Sequence, residues 1–120
     1  GIEGRMPAEL SGGMRKRVAV ARAIALAPEV ILYDEPTTGL DPANARRIGQ
    51  LIATLRRELG GTAVIVTHDL DLAFAISDRV GMLAGGRLIA VGTVDEIRTS
   101  RLPEVQEFLA GELEAPAARA

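Results

Sequence analysis

Two short apolar runs with a long helical pattern between them constrain this chain more than any other feature. Val30-Ile31-Leu32-Tyr33 and Ala63-Val64-Ile65-Val66 contain no charged residue. Unalternating runs of this kind are strands buried on both faces, and sheets buried on both faces are parallel ones covered by helices. Between the runs, Ile48, Leu51, Ile52, Leu55 and Leu59 recur at helical spacing. Asp41 is a good N-cap, Pro42 suits the first helical position, and Gly60-Gly61 supplies the stop. Strand, helix and strand in that order predict an α/β fold with a parallel sheet. In such sheets chemistry collects just beyond the carboxyl ends of the strands. Asp34-Glu35 follows the first run, and His68 follows the second.

The remaining segments fit around this unit. Residues 14–27 predict an alanine-rich helix with Met14, Val18, Ala21, Ile24 and Ala25 on its apolar stripe. Arg15, Lys16, Arg17 and Arg22 fall largely on the other side, and Pro28 ends the helix. A short helix is expected from His68 to about Ile76. Residues 79–84 and 87–91 read as a hairpin about Gly85-Gly86, and Thr93-Val94-Asp95-Glu96 as a capping box opening a helix. A last helix is expected over residues 103–109, ending before Gly111, with a frayed tail over residues 112–120. The first ten residues read as a loop, and the whole looks like the back half of a domain. Ile2-Glu3-Gly4-Arg5 spells a protease-tag cleavage site, but a four-residue match is weakly specific and a native interior loop is the preferred reading.

Composition removes several classes of function. Fourteen basic against sixteen acidic residues give −2, so no net field recruits nucleic acid or an acidic membrane. Tyr33, Phe74 and Phe108 are the only aromatics, too few for a platform that stacks single-stranded bases. No cysteine is present, which excludes disulfides, thiolate metal sites and a cysteine nucleophile, and fits a reducing cytoplasm. Val18 to Tyr33, the longest apolar stretch, is interrupted by Arg22, Pro28 and Glu29, so no direct membrane insertion is expected.

Three local patterns carry chemistry. Adjacent carboxylates at a strand end are costly to leave without water or a cation. Asp34 suits a Mg²⁺ that also binds a substrate phosphate, and Glu35 suits a water in line with a phosphoryl group. By itself the pair reads more readily as an Asx turn with an exposed glutamate. Ser11-Gly12-Gly13 precedes a helix with three basic side chains in its first turns, which makes an anion site or a plain N-cap. His68 is a phosphate contact or a structural histidine.

Taken in order, Leu10-Ser11-Gly12-Gly13-Met14-Arg15-Lys16-Arg17, Val30 to Pro36, Gly39-Leu40-Asp41-Pro42 and Thr67-His68-Asp69 resemble the C-terminal half of the nucleotide-binding domain of ABC transporters. Leu10 to Gly13 looks like the signature motif, the strand ending in Asp34-Glu35 like Walker B, Gly39-Leu40-Asp41 like the D-loop, and His68 like the switch histidine. The resemblance covers almost the whole chain. It implies a P-loop NTPase fold in its C-terminal portion only: parallel strands with flanking helices, then a β-hairpin and helices. Residues 1–120 would form a partial nucleotide-binding domain, with a helical extension and tail from about residue 93.

The family's domains dimerise head to tail. The resemblance therefore assigns Ser11, Gly12 and Gly13 to the γ-phosphate of ATP held by a second ATPase subunit. It gives Asp34 to Mg²⁺, Glu35 to the general base and His68 to the γ-phosphate, with Asp41 crossing the dimer interface. It also implies transmembrane permease subunits and a place at the inner face of the cell membrane. No G-x-x-x-x-G-K-[ST] occurs, and the one lysine, Lys16, follows Arg15 rather than a glycine. In the family's sheet the P-loop strand lies beside the strand leading to the switch histidine, so an open apolar edge is expected on residues 63–66. Residues 9–17, 32–42 and 103–111 look most like the Mla/Mce-associated ATPases of phospholipid transport. The alternatives are a non-transport ABC ATPase of DNA repair or translation, or an inactive fragment.

Overall fold

The computed structural model describes residues 1–114, which form two compact units, Gly1–Ile76 and a second beginning at Ser77. In the first unit a short 3₁₀ turn at Pro7–Glu9 leads into α1 (Gly12–Ile24). Ser11 caps α1: its Oγ accepts from the Met14 N–H at 3.2 Å. The helix begins earlier than its apolar pattern suggests and ends before residue 27. Its inward stripe also differs from the expected one. Val20 is buried and Lys16 and Ile24 are half-buried, whereas Val18, Ala21 and Ala25 are exposed. Packing of Val20 into the core turns the helix so that the inward side runs Lys16, Val20, Ile24, sharing Ile24 with the expected stripe.

Strand β1 (Val30–Asp34) pairs in parallel with β2 (Thr62–Val66), Leu32 opposite Val64 and Asp34 opposite Val66. Between them runs α2 (Pro42–Leu59), capped by Asp41, whose carboxylate accepts from the Asn44 N–H at 3.2 Å. Val20, Tyr33, Ile48 and Ile52 form the core of this unit, with Ile31, Ala63 and Ile65 packed against it. One face of the sheet is therefore covered. The other is not: Val30, Leu32, Val64 and Val66 are 53%, 74%, 46% and 54% exposed. Burial of both faces, expected from the unalternating sequence, is thus corrected to burial of one. The sheet has two strands among the described residues, and its helices cover a single side. The outer edge of β2 is unpaired there, as expected for residues 63–66.

The short helix α3 (Leu70–Ile76) follows β2 and packs against α2 through Leu72. In the second unit, β3 (Arg79–Ala84) and β4 (Arg87–Thr93) form an antiparallel hairpin. Gly85 and Gly86 turn it with φ of 55° and 73°, the left-handed pair a tight hairpin needs. Thr93 and Glu96 make the expected capping box at the start of α4 (Val94–Arg98), with Glu96 N–H to Thr93 Oγ1 at 3.2 Å and Thr93 N–H to Glu96 Oε2 at 2.8 Å. The last helix, α5 (Pro103–Glu114), continues through Gly111 rather than ending before it, and Val105 is fully buried. Residues 115–120, part of the expected frayed tail, lie outside the described residues.

Candidate active site

The parallel register sets the first cluster. Asp34 and Val66 end neighbouring strands side by side, so the segments after the two strands emerge at the same end of the sheet. The Glu35 N–H extends the ladder by one bond, donating to the Val66 carbonyl at 2.7 Å. Glu35 itself has φ of +47°, a left-handed conformation that non-glycine residues avoid and that clusters at functional sites. There its side chain meets the second strand's continuation. His68 Nδ1 lies 3.0 Å from Glu35 Oε1, and Thr38 Oγ1 donates to Glu35 Oε2 at 3.3 Å. The hydrogen bond from His68 holds the Glu35 carboxyl below the usual glutamate range, against a weaker opposing effect of partial burial.

Asp34 is exposed, and among the described residues its carboxylate has no hydrogen-bond or ion-pair partner. The loop after Glu35 is tied to the loop after β2. The buried Thr37 donates through Oγ1 to Asp69 Oδ2 at 3.2 Å, while Asp69 Oδ1 accepts from the Leu72 N–H at 3.0 Å and so caps α3. This brace keeps Glu35 and His68 in step.

A second cluster gathers around the start of α1. A methyl group added to Gly12 would lie 3.2 Å from Leu40 Cδ2, and one added to Gly13 would lie 3.4 Å from Asn44 Oδ1. The two glycines thus let the first turn of α1 approach the segment around Asp41. Asp41 uses its carboxylate on the backbone N–H and side-chain amide of Asn44, and these bonds hold its carboxyl below the ordinary aspartate range. Among the described residues no bond runs from Ser11, Gly12 or Gly13 to Asp34, Glu35 or His68. One bond does join α1 to the first cluster: Lys16 Nζ donates to the Glu35 carbonyl at 3.3 Å.

The open groove between α2 and α3, about 930 Å³, is lined by Arg46, Arg57 and Asp71 among others. Neither Glu35 nor His68 lines it, so the chemistry points to the strand ends instead.

Residues 2–38 match the family model described as ABC transporter. That range includes Ile2-Glu3-Gly4-Arg5, as a native loop would. The chain is similar to part of an ABC transporter ATP-binding domain.

Relatives agree along most of the cassette segment. The chain is 42% identical over 111 residues to the "probable ribonucleotide transport ATP-binding protein mkl" of Mycobacterium tuberculosis, covering 92% of this chain and 31% of that protein. It is 48% identical over 94 residues to the "methionine import ATP-binding protein MetN" of Caulobacter vibrioides, covering 78% and 28%. With the "intermembrane phospholipid transport system ATP-binding protein MlaF" of Haemophilus influenzae the identity is 42% over 116 residues, covering 97% and 44%. The chain therefore spans less than half the length of these relatives. Among solved structures, the ATP-binding cassette MJ0796, a dimer bound to ADP and Pi, superposes with a TM-score of 0.64 at 41% identity, over 73% of this chain and 38% of that one. The fold is that of the ABC ATPase cassette in part, as expected.

Lys16, Thr37 and Thr38 also bond into this cluster, and sequence reasoning missed them. Lys16 sits in a basic run that reads as a solvated face, and its spacing of four from Val20 is the signal that it turns inward. Thr37 and Thr38 carry no signal beyond lying in a polar loop.

Proposed function

We propose that this cassette segment supplies the water-activating and signature elements of an ATP-hydrolysing site in an ABC transporter. The observation that carries the reading is the Glu35–His68 pair at 3.0 Å beyond adjacent parallel strands, next to the unpartnered Asp34 carboxylate. In this role Glu35 stays ionised at neutral pH and takes a proton from water aimed at the γ-phosphate. His68 orients the Glu35 carboxylate through Nδ1 and, as the family resemblance implies, also contacts a phosphate oxygen.

A single carboxylate, with phosphates and waters completing the shell, is what Mg²⁺ commonly takes in nucleotide sites. Asp34 fits that requirement, and the ion when bound would neutralise charge on the phosphates. Ser11, Gly12 and Gly13, at the N-terminus of α1, suit the γ-phosphate of ATP presented by a second ATPase subunit. Asp41 lies beside these glycines, in keeping with a place at the dimer interface. Permease subunits in the membrane would complete the assembly, and no described helix is long and apolar enough to cross a bilayer.

Phospholipid is the cargo we favour: the likeness to MlaF of Haemophilus influenzae runs over 97% of the chain, against 92% for mkl and 78% for MetN, and residues 9–17, 32–42 and 103–111 look most like the phospholipid-transport ATPases. The deciding experiment uses the full-length protein that carries this segment. Glu35→Gln is expected to lower steady-state ATP hydrolysis by ~10²-fold or more while leaving ATP affinity intact. Hydrolysis within a few-fold of wild type would remove Glu35 from the role of base. Reconstituted with its permease, the wild type is expected to move labelled phospholipid between vesicles. Movement of methionine instead would overturn the cargo.

A further inference from the structure

We propose that Lys16 is a positioning residue for Glu35, holding its backbone in the left-handed conformation that aims the carboxylate at His68. The proposal rests on the reading of Glu35 as the hydrolytic base.

Glu35 adopts φ of +47° without the freedom of glycine, so the surroundings must hold it there. Three backbone hydrogen bonds meet at this residue. Its N–H donates to Val66 at 2.7 Å, and its carbonyl accepts from the Thr38 N–H at 3.3 Å and from Lys16 Nζ at 3.3 Å. The first belongs to the sheet and the second to the turn itself. The third comes from a helix nineteen residues earlier, and it is the only one made by a side chain.

Chemistry suits Lys16 to the task. An ammonium is a compact donor, and a charge-assisted bond to a carbonyl outweighs a neutral one. Lys16 is half-buried on the inward stripe of α1, one helical turn before the buried Val20, so its Cα is anchored by the core. It lines a small cavity, about 180 Å³, with Tyr33, Asp34 and Pro36 at the end of β1, and its ammonium reaches the Glu35 carbonyl. Loss of this tether lets the Glu35 peptide rotate toward an ordinary conformation, which swings the carboxylate away from His68. A shift of about 1 Å at a reacting group can cost up to ~10²-fold in rate, so a tenfold loss is the expected scale.

The test compares Lys16→Met and Lys16→Arg with wild type in the full-length protein, alongside Glu35→Gln. Lys16→Met keeps most of the apolar stem and removes the charged donor. It is expected to lower kcat for ATP about tenfold with KM within about twofold, and Lys16→Arg to recover at least half of the wild-type kcat. The Glu35 amide resonance is expected to move in Lys16→Met and to stay near its wild-type position in Lys16→Arg. If Lys16→Met does not fold, Lys16→Gln serves in its place, because its shorter side chain cannot reach the Glu35 carbonyl.

An unmoved Glu35 amide, or kcat within twofold of wild type while Glu35→Gln is inactive, would overturn the positioning role and leave the base intact. A fully active Glu35→Gln would overturn the base, and the proposal with it. Equal loss in the Met and Arg variants would assign Lys16 to packing instead.

Discussion

His68 bears on the ionisation of Glu35 as well as on its aim. Its hydrogen bond is the largest influence keeping the Glu35 carboxyl below the usual glutamate range. Replacing His68 with alanine is therefore expected to raise the Glu35 pKa toward the ordinary value, read by carboxyl NMR titration of the full-length protein. An unchanged titration would show that Thr38 and the backbone suffice. The same interaction affects stability, with a definite sign. A group whose pKa is depressed by folding contributes stability above the ordinary glutamate range and loses it as pH falls through the depressed value. Glu35 lies partly in solvent, so the effect is small. Acid melting of wild type is expected to be slightly steeper than that of His68→Ala across that window.

At the level of elements, the sheet depends on how α2 hands over to β2. Gly60 closes the helix, its N–H donating to the Arg56 carbonyl at 3.1 Å. Gly61 then runs with φ of 76°, and a methyl group on it would stand 2.6 Å from the Glu29 carbonyl oxygen. That carbonyl accepts the Thr62 N–H at 2.9 Å, the bond that starts the β1–β2 ladder. Conformation and space therefore both exclude a side chain at Gly61. Gly61→Ala is expected to destabilise the protein by at least ~1 kcal/mol, measured by denaturant unfolding. A change below a few tenths would mean that the ladder can start elsewhere. Gly49 differs, because an added methyl group would meet only the end of the Leu72 side chain, at 2.9 Å, which can move aside.

On the scale of the molecule, the uncovered sheet face is expected to govern how the 120-residue chain behaves in solution. Val30, Leu32, Val64 and Val66 form one contiguous apolar surface, flanked by the unpaired edge of β2. Apolar patches and open edges of this kind promote association. The 120-residue chain alone is expected to sediment as concentration-dependent oligomers, and Leu32→Lys with Val66→Lys to shift it toward monomer. A monomeric wild-type chain at high concentration would show that the face is harmless. The chain alone is also expected to give no micromolar Mg-ATP binding by calorimetry, since no G-x-x-x-x-G-K-[ST] occurs in it.

Much of the architecture can be read in one dimension because local physics dictates it. The Asp41 cap, the Pro42 start, the Gly85-Gly86 turn and the Thr93–Glu96 box all act within four residues of themselves. The order of the motifs is equally legible, and with it the placing of Asp34, Glu35 and His68 at neighbouring strand ends. What no local rule contains is how α1 rolls onto the sheet. Packing of Val20 against Tyr33, Ile48 and Ile52 sets that roll, and it brings Lys16 inward. The left-handed turn at Glu35 is equally hidden, because glutamate favours no such conformation and bonds from three separate segments impose it. Burial of the strands escapes a one-dimensional reading for the same reason. An apolar run shows that a strand can be covered on both faces, whereas the number of helices and strands packed around it decides how many faces are.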